Sequence, residues 1–294
     1  MSVMIDLILD ALKDTLKDTA SLLPFLFLTY IVMEWLERKT EDSSVEMLSH
    51  IGKLGPVVGS AVGVIPQCGF SAAAASLFSG GVISVGTLLA VFLSTSDEMV
   101  PIFISYAVSP SVIGKIILAK FIIALITGLA ADAMVRLIHY TFRTHKHIHD
   151  LCEQDNCGCE EEEGGIIHSA LVHTAKITVF IFIISFVIAM LVELIGTHDI
   201  AAFLTGIPVI GTLVTGLIGL IPNCAASVVI TQLYLEGLIT SGQMMTGLLV
   251  GAGVGILVLA RTNRHRAENL RVIAALYGVG VAWGLVIDLL GITF

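Results

Sequence analysis

The sequence predicts an all-α membrane protein built from two inverted-topology repeats, each with a re-entrant or broken helix, about ten helical elements in all. Three observations carry that prediction. The chain is too apolar for water: 56% of its 294 residues are hydrophobic and 13% charged, with a mean hydropathy of +0.95. A soluble domain carries about 25% charged residues. The chain also repeats itself, since a shift of 156 positions (222 − 66 = 156) lays Ile65-Pro66-Gln67-Cys68 on Ile221-Pro222-Asn223-Cys224. Finally, the basic residues fall on loops that are not equivalent between the two repeats.

Residues 1–20 read as an amphipathic helix, with Asp6, Asp10, Asp14 and Lys17 at helical spacing against Ile5, Leu9, Leu12 and Leu16. It lies on the membrane surface or caps the first repeat. No basic start, short apolar run and small-residue cleavage site follow one another here, so no removable signal peptide is expected. The first transmembrane repeat is assigned to 21–138 and the second to 166–294. Within them the stretches 21–36, 113–137, 177–195, 244–260 and 272–291 approach or reach the roughly 20 apolar residues that a spanning helix needs.

The repeat extends well beyond its motif without a gap. Ser71 falls on Ser227, Gly86 on Gly242, Lys115 on Arg271, Gly128 on Gly284 and Asp132 on Asp288. Charge then sets the orientation, because cytoplasmic loops collect Lys and Arg. The loop after the first helix holds Arg38, Lys39 and Lys53, whereas its partner at 193–208 holds no basic residue. The loop 261–271 carries Arg261, Arg264, Arg266 and Arg271, but its partner at 105–115 has only Lys115. Equivalent loops on opposite sides mean inverted repeats, and inversion needs an odd number of crossings per half. The segment 244–260 has neither proline nor charge and reads as a true span. The segments around Pro66 and Pro222 therefore enter and return as hairpins, their limbs being too short to span alone. A broken but continuous helix is the alternative.

Between the repeats, 139–165 reads as a cytoplasmic loop rich in His, Cys and Glu. His145, His147, His149, Cys152, Cys157 and Cys159 lie there, ahead of the acidic run 160–163. These are ligand types for borderline and soft metals, and alternate spacing lets them converge on one ion without a fold. The competing reading is a hydrophilic linker. Five cysteines do not make a disulfide scaffold in a membrane chain of this length, and a net charge of −9 excludes a basic nucleic-acid surface.

Two constellations within the membrane carry chemistry. In the first, a proline removes a backbone donor and breaks the helix; such irregular backbone survives in a membrane only where it is protein-buried or lines a cavity. Gln67 and Asn223 offer donors and an acceptor there, Cys68 and Cys224 offer thiolates for a soft metal, and Ser71 and Ser227 follow about one turn later. Two small packing residues are the alternative for the cysteines. The second is Ser94-Thr95-Ser96-Asp97-Glu98, in the middle of an apolar segment. An intramembrane acid costs about 2.5–3.5 kcal/mol on insertion scales and marks a functional site by default. Asp97 and Glu98 bind a cation or carry coupling protons, unless they merely pair with a lysine such as Lys120. Asp132 and Asp288, near helix ends, read as structural.

Two Pro–Gln/Asn–Cys repeats joined by a His/Cys/Glu-rich loop resemble the ten-helix heavy-metal exporter family, whose members are labelled arsenic efflux proteins or manganese transporters. The likeness rests on Ile65-Pro66-Gln67-Cys68-Gly69-Phe70-Ser71, on 94–98 with Pro101, and on Ile221-Pro222-Asn223-Cys224. It implies a multi-pass protein of the inner (cytoplasmic) membrane that exports a heavy metal or metalloid by proton exchange. A divalent-cation transporter using Asp97 and Glu98 as hard ligands is a second reading, and an exporter of a small organic solute such as an amino acid a third. No His–Glu zinc motif or nucleophile elbow suggests an enzyme. The expected partners are the bilayer and the transported ion, with no nucleic acid and no cofactor beyond a metal ion at the loop.

Overall fold

The computed structural model describes residues 44–66, 68–96, 99–137, 166–195 and 208–294, together with scattered residues between 12 and 31. Among them the chain forms eleven helices: α1 (Ser44–Gly63), α2 (Cys68–Ser79), α3 (Val85–Ser94), α4 (Met99–Ser105), α5 (Pro110–Leu137), α6 (Ile166–Ile195), α7 (Pro208–Gly219), α8 (Cys224–Leu235), α9 (Ser241–Val250), α10 (Gly255–Thr262) and α11 (Arg266–Leu289). The described residues between 12 and 31 are helical too. In hydrocarbon every backbone polar group must find its partner inside the segment, and helices meet that requirement. Among the described residues five segments are long and apolar enough to cross a membrane: Val85–Ser105, Pro110–Leu137, Ala170–Val187, Ser241–Thr262 and Arg266–Leu289. The protein is therefore an all-α, multi-pass membrane protein.

The repeat is visible in the helix boundaries. α2, α3, α4 and α5 begin at 68, 85, 99 and 110, and α8, α9, α10 and α11 begin 156 positions later, at 224, 241, 255 and 266 (224 − 68 = 156). The same contacts recur. Asp132 Oδ1 accepts from the Gly86 amide at 2.9 Å and Asp288 Oδ1 from the Gly242 amide at 2.8 Å. The other carboxylate oxygens take the hydroxyls of the N-cap residues Ser84 and Thr240, at 2.8 and 2.9 Å. Each aspartate thus fixes the start of the central helix of its half, a position where negative charge is favoured. The crossings are close because they lack side chains: a Cβ on Gly86 would collide with the Gly128 carbonyl, and one on Gly242 with the Gly284 carbonyl. Small residues at such crossings are how membrane helices pack.

Contacts along the helices also give their directions. Gly55, Gly59 and Gly63 of α1 meet Thr87, then Val91, then Ser94 of α3, so these two run parallel. The chain leaves α1 beside Ser94 yet begins α3 again at Val85, and α2 must carry it back. In the second half Ile230 touches Gly247 and Ser241 Oγ donates to Tyr234 Oη at 3.3 Å, so α8 runs against α9. Both proline breaks are therefore turning points. Around the second, Ile221 donates to Ile218 at 3.0 Å, finishing the helix before Pro222, and Asn223 donates to Ile221 at 2.7 Å, closing a tight turn across the proline.

The segment 244–260 does lie within a stretch of membrane-crossing length, Ser241–Thr262, but the helix is interrupted there, because α9 stops at Val250 and α10 starts at Gly255. Within the gap Gly253 has φ +52°, a left-handed conformation that a residue with Cβ rarely adopts. The first half is interrupted at the equivalent place, where α3 stops at Ser94 and Thr95 and Ser96 are not helical, so both central spans are discontinuous. These spans are 75% and 83% buried, against 29–33% for the other three, and so form the centre of the protein. Leu118, Ile122, Ile126 and Leu129 of α5 face outward, as lipid-facing residues do. Near the N-terminus Thr15 and Thr19 are buried and face the protein, while Leu12 and Leu16, like Lys13 and Lys17, are exposed.

Candidate functional site

The two central breaks lie against one another through a lysine. Lys120 of α5 is fully buried. Its Nζ donates to the Thr95 carbonyl, just past the end of α3, and at 2.8 Å to the Leu248 carbonyl in the last turn of α9. The discontinuous spans of both halves therefore end at one ammonium. A charge within a membrane costs about 2.5–3.5 kcal/mol on insertion scales, and helix C-terminal ends, which carry partial negative charge, offset part of it. The equivalent position in the second half (276 − 120 = 156) is Leu276, also fully buried. The halves share a frame but not their charge.

The walls of the breaks differ in chemistry. In the first half Ser94, Thr95 and Ser96 are buried. Ser94 Oγ donates to the Ala90 carbonyl at 2.7 Å, Thr95 Oγ1 to Val91 at 2.8 Å and Ser96 Oγ to Ser94 at 3.0 Å. With their protons committed to the backbone, these hydroxyls present acceptor oxygens, an arrangement suited to a donor or a hard cation. The second half has only backbone here: Gly251 donates to Gly247 at 2.9 Å and Ala252 to Val250 at 2.8 Å.

The hairpin tips lie at different neighbours. Ser71, one turn into α2, is fully buried beside Gly255, the first residue of α10, and a Cβ there would also touch Phe92 of α3. Ser71 thus adjoins the break of the opposite half. From that point α2 and α10 run in the same direction, and Ser79 and Thr262 share a hydrogen bond of 2.6 Å. Reciprocally, α8 packs on α4, with the Tyr234 and Phe103 rings edge-to-face at 6.5 Å. Asn223 is half-buried, and its Nδ2 donates to the Ser185 carbonyl of α6 at 3.4 Å. Ser227 is half-buried in the first turn of α8. Cys68 and Cys224 are the opening residues of α2 and α8. Their side chains lie outside the described residues, as do Gln67, Asp97, Glu98 and the loop residues His145, His147, His149, Cys152, Cys157 and Cys159.

Two further hydroxyls escaped sequence reasoning. Thr174, Thr215 and Thr246 all bond the carbonyl four residues back, at 2.7, 2.6 and 2.9 Å. Thr178 and Ser185 of α6 are buried at their oxygens yet have no hydrogen-bond partner among the described residues. Ser185 adjoins the Asn223 tip. Their seven-residue spacing on one face, in line with Thr174, was the available signal.

Residues 3–165 and 134–248 match the profile of a family described as "Putative, 10TM heavy-metal exporter". No curated protein and no solved structure matches the chain. The matches cover most of a chain whose described elements are all helices, five segments among them being of membrane-crossing length, and the chain belongs to this ten-helix heavy-metal exporter family.

Proposed function

We propose that the protein is a secondary active transporter, not an enzyme, that exports a heavy metal or metalloid across the inner membrane in exchange for protons. The observation that carries this reading beyond family membership is the meeting of both discontinuous spans at buried Lys120. Transporters built from repeats bind substrate at such unwound segments near the bilayer midplane. In this reading the hairpin tips converge, so that Cys68 and Cys224 offer two thiolates to a soft ion while Gln67, Ser71, Asn223 and Ser227 line the same site. Asp97 and Glu98 carry the coupling protons or hold a cation. Ser185 and Thr178 supply hydroxyls from α6. The parallel course of α2 and α10, together with the loop charges, supports inverted repeats, and the loop 139–165 captures metal on the cytoplasmic side.

The buried oxygens of Ser94, Thr95 and Ser96 favour a second reading, a divalent cation held by hard ligands. Uptake into everted vesicles separates these readings from each other and from an organic-solute exporter. A panel of thiophilic metals, metalloids, manganese and amino acids is offered to wild type, Cys68→Ser and Cys224→Ser. The first reading predicts uptake of a thiophilic species, lost in both variants. Uptake of manganese that both variants retain supports the second reading, and amino-acid uptake alone overturns both.

A further inference from the structure

We infer that the Lys120 ammonium occupies the position a coupling alkali cation would take between the two broken spans, so that transport runs without sodium. The inference starts from unsatisfied backbone. The last four carbonyls of a helix have no partner within it. In α9 the amide that would ordinarily bond Leu248 is that of Ala252, and it donates to Val250 instead, at 2.8 Å. The Leu248 carbonyl takes its donor from Lys120, at 2.8 Å. The Thr95 carbonyl, beyond the end of α3, takes the same ammonium. Two carbonyls from two helix ends, one in each half, thus converge on a single buried positive charge. In transporters with discontinuous helices, unwound carbonyls and half-helix C-terminal ends are the groups that coordinate a coupling ion.

A tethered ammonium does for these carbonyls what a bound ion would do, with one difference: it cannot exchange with either side of the membrane. A gradient of sodium therefore has nothing to act on at this position. The second half supports the assignment, because Leu276 replaces lysine at the equivalent site and contributes no second cation. The sodium clause rests on the transport reading, whereas the cation position itself does not.

The test is designed to keep the two apart. Purified full-length Lys120→Ala in detergent is melted in chloride salts of choline, sodium, ammonium and methylammonium at equal ionic strength. The variant is expected to melt about 5 °C or more below wild type in choline. A small monovalent cation that enters the vacated position should recover at least half of that loss, with wild type unresponsive. Equal melting of the variant in all four salts, or no loss in choline, overturns the cation position. Lys120→Met, which keeps the stem's volume without the charge, is the companion variant should the alanine form not fold; it is expected to be destabilised and to show no rescue, and wild-type stability in it overturns the proposal. Separately, wild-type uptake of whichever substrate the vesicle panel identifies is compared with sodium and with choline outside. Equal rates are expected, and a dependence on sodium overturns the inference while leaving export intact. Cation rescue in a protein that moves nothing on the panel would instead retain the cation position and remove the proposed function.

Discussion

Lys120, Leu276 and the residues at the two breaks show how much a duplicated frame can diverge at single positions. Leu276 fills apolar space; Lys120 joins two helix ends. Ser94, Thr95 and Ser96 put buried oxygens where the other half has Val250, Gly251 and Ala252. The charges of the central region lie in one half, and an intramembrane ionisable group is retained against a cost of kilocalories per mole only where something requires it. The prediction at this scale concerns Asp97 and Glu98. Asp97→Asn and Glu98→Gln should each reduce transport at least tenfold without preventing membrane insertion, and at least one should flatten its pH dependence. Vesicle uptake across a pH series checks this; wild-type rates and profiles in both variants would return the acids to a structural role.

The helices divide into those whose breaks the sequence displayed and those whose breaks it concealed. Pro66 and Pro222 were legible because proline removes a donor wherever it stands. The first central break was legible from its acids. Its counterpart at 251–254 was not: Gly-Ala-Gly-Val is apolar and raises no hydropathy signal, and glycine is common in membrane helices. The repeat register held the missing clue, since 251–254 aligns with 95–98. The aspartates read as structural from their places near helix ends, and the contacts show what they hold. Asp132 and Asp288 each accept from the first-turn amide and the N-cap hydroxyl of the central helix. Removing either, as Asp132→Ala or Asp288→Ala, should cost about 1–2 kcal/mol and lower the melting temperature by a few degrees. The two losses should be similar, and transport should persist. Thermal melting of the purified variants checks the prediction, and a loss confined to one aspartate would contradict the equivalence of the two anchors.

At the scale of the whole molecule, the membrane class and the duplication were legible from composition and one motif, and the way the halves interlock was not. Each hairpin's returning limb packs on the other half, α2 on α10 and α8 on α4. Such pairing links residues far apart in the chain, Ser79 with Thr262 (262 − 79 = 183) and Phe103 with Tyr234 (234 − 103 = 131), and no local periodicity reports it. Inverted orientation has a direct test in the labelling of single cysteines from either side of the membrane. Positions 38 and 264 and the 139–165 loop should label from the cytoplasm, and Ser109, His198 and Phe294 from outside. Labelling of Ser109 and Arg264 variants from the same side would contradict inversion.

The claim that both halves build one site is tested most directly by joining Cys68 to Cys224. With Cys152, Cys157 and Cys159 replaced by serine and a protease site placed in the 139–165 loop, membranes are treated with a short thiol-to-thiol crosslinker and then cleaved. If the hairpin tips converge, the two halves stay together on a denaturing gel, and prior addition of a thiophilic metal prevents the link. Separation of the halves, in a protein whose cysteines react singly with a small maleimide, would contradict a shared two-thiol site.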